Sequence, residues 1–170
     1  MEFIEHTVNW VKGENFEGGM IALWGVMLVV LAAYFWKFGH SATARVLIIP
    51  FLLVGLFWGI AGGAGLYRNT LRVDKFHMEY KKDPGAFVES EKKRVDGFIG
   101  LYRYLLAGWG VLILIGLAIF TFWGGNHGRA IGLAVILFAV MGLLIDHTSE
   151  HNARTYQSEI NKALKSDEQR

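Results

Sequence analysis

The chain has 170 residues, a formal net charge of +2, a 53% hydrophobic composition and a mean hydropathy of +0.33. It contains no cysteine, which excludes a disulfide framework, a thiolate metal site and covalent haem attachment. The weak net charge gives no reason to expect a nucleic-acid partner, and the residues left over beside the apolar stretches are too few for a separate globular domain.

The first eleven residues place Phe3, Ile4, Val8 and Val11 at helical spacing, with Trp10 suited to an interface. The pattern predicts a short helix lying on the membrane surface and ended by Gly13. From Gly18 to Trp36 there is no Asp, Glu, Lys or Arg. A helix crossing roughly 30 Å of hydrocarbon at 1.5 Å per residue needs about 20 mostly apolar residues. A first span over about 18–37 is therefore predicted. It is not read as a secretory signal, because Glu2, Glu5, Glu14 and Glu17 precede it against a single Lys12. Phe38-Gly39-His40-Ser41 supplies a tight turn, and a second span follows over about 45–67, with Pro50 tolerated in its first turns. Gly55, Gly59 and Gly63 form two overlapping GxxxG units, predicted as a helix-packing face within the chain or, alternatively, between two copies.

Beyond the second span, Asn69, Val73, Phe76 and Tyr80 recur at steps of four, three and four, the seam of a packed helix. Asp83-Pro84 then marks a new helix start, since Asp caps well and Pro suits the first helical position. That helix is predicted to run through Phe87, Glu91, Arg94 and Phe98 into a third span over about 98–123. Gly124–Gly128 is a second short turn, and a fourth span follows over about 128–146. Ile145, Ser149, Asn152 and Tyr156 continue it with a matching seam, and the tail after Lys165 should fray. The whole is one all-α domain over residues 1–170: an integral membrane four-helix bundle of two transmembrane hairpins, with helical extensions over about 68–97 and 147–165 and an interfacial N-terminal helix.

Lys and Arg sort the loops. The central connection holds Arg68, Arg72, Lys75, Lys81, Lys82, Lys92, Lys93 and Arg94, and the C-terminal tail holds Arg154, Lys162, Lys165 and Arg170. The opposite side has only Lys37, Arg45 and Arg129. The positive-inside bias places both termini and the extensions in the cytoplasm of a bacterial-type inner membrane.

Candidate chemistry gathers where the extensions leave the membrane. Asp146, His147, Glu150 and His151 fall within one arc of a helix, with His147 and His151 one turn apart. They could hold a divalent metal, with His77 and Glu79 contributing from the second helix, although such a spacing on a helix leaving the membrane is more often a solvated face. Arg68 and Arg72, with Arg103 nearby, form a basic stripe opposite Asp146 and Glu150. Two readings stand: an ion-pair network, Arg68 with Asp146 and Arg72 with Glu150, or a lipid-headgroup site, since Arg presents several donors to phosphate. His40 and His127, one in each turn, are too few for a metal site alone. No phosphate loop, nucleophile elbow or mid-span acidic residue is present, which weakens enzyme and ion-coupled transporter readings. The expected function is an interaction, accessory or regulatory subunit with membrane lipids around it, through a membrane-protein partner or self-association; the alternative is a metal- or headgroup-binding membrane protein with its site at the cytoplasmic membrane face, and a metal-dependent membrane enzyme using the HxxEH spacing of His147, Glu150 and His151 stands third.

Overall fold

The structure, a computed structural model, describes residues 2–168, with the side chains of 167 and 168 excepted. Its helices are α1 (Phe3–Phe38), α2 (Ala42–Lys82), α3 (Pro84–Ile99), α4 (Tyr102–Phe122) and α5 (Gly125–Glu168). α3 and α4 form one near-continuous rod, broken at Gly100 and Leu101, both of which keep right-handed helical angles. Counted this way, four helices are long and apolar enough to cross a membrane, and the architecture is an all-α four-helix bundle. Ser41 caps α2 by accepting from the Ala44 amide, and Asp83 caps α3 by accepting from the Ala86 amide, with Pro84 at the first helical position. α5 reaches Glu168, past the expected fraying point at Lys165, and the last two residues lie outside the described region.

The molecule has an apolar sector, bounded at one end by the two short turns, and a polar lobe at the other end. The lobe differs from the expectation at its N-terminus. No break occurs at Gly13; α1 runs unbroken for 36 residues, about 54 Å. Its first turns leave no interfacial helix on a membrane surface, because Phe3, Ile4, Trp10 and Val11 pack with Phe76, Phe87, Val95, Tyr156 and Ile160. The Tyr156 ring stacks on both Phe3 and Trp10, and Phe87 meets Phe3, Phe76 and Tyr80 edge-on. Burial of each large apolar side chain stabilises by about 1.5–3 kcal/mol. In the lobe the same side chains gain close aromatic packing on Tyr156 and Phe87 as well, and the segment takes that seat.

In the apolar sector α1 lies along α2, and α4 lies along α5. The α1/α2 approach is backbone to backbone. A Cβ on Gly25 would strike Gly59 and Gly55, and one on Gly62 would come within 2.6 Å of the Gly18 carbonyl. Gly116 and Gly132 make the same close approach between α4 and α5. α5 also contacts α1, α2 and α3, so it is the central helix. α4 is peripheral. Only 6% of its most apolar window is buried, against 39% in α5.

Candidate functional site

The site is built where the apolar sector passes into the lobe, between α1, α2 and α5. Glu17 directly precedes the uncharged run of α1 and is buried at 6% exposure. The Ser149 hydroxyl donates to one of its carboxylate oxygens, and the Asn152 side-chain amide donates to the other at 2.6 Å. Burial raises the Glu17 pKa above the ordinary glutamate value, against the lowering effect of these two donors. Glu14, one turn earlier, is also raised, first by burial and then by the Glu17 charge, while Arg72 and Arg94 pull it down. The two carboxylates border a cleft of about 350 Å³ that Arg68, Asn69 and Arg72 close from α2. A second cleft of about 340 Å³ shares Glu14 and Arg72 and opens toward Arg94, Leu101 and Asp146.

One layer deeper in the lobe, a buried polar chain crosses three helices, α1, α3 and α5. Tyr156 donates its hydroxyl to Glu91 Oε2 at 2.8 Å. Its single proton is thereby used, so the 2.8 Å contact with Thr7 Oγ1 is one in which Thr7 donates. Arg94 binds Glu91 with two parallel bonds of 2.8 and 2.5 Å, and its guanidinium lies 4.4 Å over the Trp10 ring. Burial opposes the Arg94 charge, but the Glu91 carboxylate outweighs it and the arginine pKa is raised. Tyr156 is raised by burial and by the Glu91 charge. Glu91 at 3% exposure is thus a buried carboxylate neutralised by Arg94 and hydrogen-bonded by Tyr156.

The sequence-predicted residues fall elsewhere. Arg68 and Arg72 are exposed, and neither pairs with the acids of α5. Arg72 reaches Asn69 on its own helix at 3.4 Å. Asp146 instead accepts from the Trp109 indole at 2.5 Å, and Glu150 pairs with Arg154 one turn on. Arg103 turns onto the neighbouring Tyr104, bonding its hydroxyl and covering its ring. Glu79 pairs with Lys75, and His77, His147 and His151 are all exposed. Among the described residues, no group of three or more His, Asp or Glu is placed to hold a metal ion. On the packing face, Gly55 meets Gly25 and Val29, and Gly59 sits opposite Gly25 at 4.0 Å, but Gly63 opens onto free space. The third contact is made by Gly62, one position earlier.

Sequence reasoning passed over Glu14, Glu17, Thr7 and the pairing of Glu91 with Tyr156. Glu17 did carry a signal: no cation stands three or four residues from it on either side, so an acid adjoining an apolar run needed a partner from another helix. Comparison with known protein-family models, with the curated proteins and with the solved structures finds no match.

Proposed function

We propose that this chain is an accessory or regulatory subunit of a bacterial-type inner membrane, with both termini in the cytoplasm, acting through helix faces on a membrane-protein partner. The observation that carries this reading is the packing of α4. Gly116 is its one buried residue, and Val111, Leu114, Ile115 and Leu117 face away from the bundle. Meanwhile the buried carboxylates Glu17 and Glu91 are already bound within the chain, which leaves little of the interior for chemistry on a substrate. A membrane helix gains from helix contact through packing rather than hydrophobic drive, so a bare, regular face is the surface on which a partner adds contacts. The test is photocrosslinking in native membranes. A crosslinker at Val111 or Leu114 should give a discrete protein adduct, and one at Val26 or Val30 on the outer face of α1 should give lipid alone. Lipid adducts from both faces would remove the proposal.

A second reading is favoured by the cleft between α1 and α2, where Arg68 and Arg72 are exposed beside Asn69. There the arginines would receive a lipid headgroup at the cytoplasmic face. Lipid retained by the purified chain should fall in the Arg68→Gln, Arg72→Gln double variant if this reading holds.

A further inference from the structure

At the turn end of the apolar sector, α2, α4 and α5 enclose a groove of about 730 Å³. Ile49, Leu53, Leu112 and Val135 form its walls, and Arg45 and His127 stand at its rim. The lining on α2 extends from Arg45 to Val54, nine helical steps or about 13 Å of rise. That is close to the thickness of one leaflet of a hydrocarbon core about 30 Å across. We infer that this groove seats one acyl chain of an anionic phospholipid, with the headgroup phosphate held by Arg45 at the rim.

Charge complementarity selects the occupant. Lys37, Arg45 and Arg129 all lie at this end. No Asp or Glu occurs between Glu17 and Asp74, or between Asp96 and Asp146, so both hairpins carry cations here with no carboxylate of the chain in reach. Arg45 is exposed and lines the groove with no side-chain partner recorded in any ion pair or hydrogen bond of the described residues. The first turns of α2 and α5 begin at the same level, and their free amide groups add to the positive field. A parallel second copy would bring only more cations to this end. An anionic lipid supplies the missing charge and the apolar tail together, where an apolar partner helix would fill the groove alone.

The experiment uses the full chain, delipidated in a neutral detergent and titrated with phosphatidylglycerol or phosphatidylcholine under native mass spectrometry. One phosphatidylglycerol should be retained in preference to phosphatidylcholine. Arg45→Gln should weaken it about five- to tenfold, and Arg45→Lys should restore part of the loss. Arg129→Gln, exposed at the same end but outside the groove lining, should leave it unchanged. Leu53→Trp, which fills the groove without touching the charge, should also lower retention. Equal losses in Arg45→Gln and Arg129→Gln would show diffuse surface attraction and overturn the inference. Equal retention of the two lipids, or a dimer that excludes lipid, would overturn it too.

Discussion

The hydroxyl of Tyr156, on α5, ties two further helices together, since it accepts from Thr7 on α1 and donates to Glu91 on α3. Tyr156→Phe keeps the ring stacks on Phe3 and Trp10, leaves the buried Thr7 hydroxyl without its partner and takes one donor from Glu91, which keeps Arg94. We expect a loss of about 1–3 kcal/mol in denaturant or thermal melts in detergent, and most of that loss absent when Thr7→Val is already present. Glu91→Ala should cost more, about 3 kcal/mol, because Arg94 is then held in the lobe without its carboxylate. At the cleft, Glu14 and Glu17 are both raised and share the pH dependence, and Glu14, which has no hydrogen-bonded side-chain partner in the described residues, is the one to test. Its folded pKa is raised above the ordinary 4.5, so its contribution to stability is full below that value and is lost as pH rises through the folded value. Removing the charge with Glu14→Gln should therefore raise the melting temperature at pH 8 by about 2–4 °C and by less at pH 5. An equal shift at both pH values would exclude the raised carboxylate as its cause.

Helix by helix, the elements follow from short-range chemistry, and this is why they were legible. The uncharged runs set the spans, and Asp83-Pro84 gives a cap whose bond to the Ala86 amide is present as anticipated. The seams of Asn69, Phe76, Ser149 and Tyr156 all turn inward. What sequence could not supply was the rotation of each helix about its axis. Arg68 and Asp146 sit at similar depth, but depth fixes height and not azimuth, and Asp146 faces Trp109. The same ambiguity moves the third close contact of α2 from Gly63 to Gly62. The pair makes a test of the α1/α2 register. Gly25→Ala should cost about 1–3 kcal/mol, because its new methyl meets the Gly59 backbone, which cannot swing aside. Gly63→Ala has nothing within 4 Å of its new carbon and should be neutral or gain up to about 1 kcal/mol of helix propensity. Similar losses at both sites would mean that α2 uses the Gly63 face as well.

For the molecule as a whole, the asymmetry between its ends is the feature with the widest reach. Acids and bases mix in the lobe, whereas the turn end is purely cationic. Reporter fusions at the C-terminus and within the Gly124-Gly125 turn should report opposite sides of the membrane, with the C-terminus cytoplasmic. A C-terminus outside the cytoplasm would reverse the orientation and move the Glu14 cleft to the other face. The N-terminal turns could not be placed from sequence because their amphipathic pattern suits a lipid surface and a protein groove equally. Which one they take depends on whether Tyr156 and Ile160 are there to receive them.

Thr7 and Tyr156 are 149 positions apart, yet they share a bond at the centre of the lobe. The ribosome therefore releases the opening segment long before its seat exists. Phe3, Ile4 and Trp10 must wait, exposed or held by lipid, while all four spans are threaded into the bilayer. The lobe cannot be completed before α5 is made, and its packing requires both hairpins to present their extensions on one side. A chain with one hairpin inverted would leave Phe3, Ile4 and Trp10 without the seat that Tyr156 and Ile160 provide.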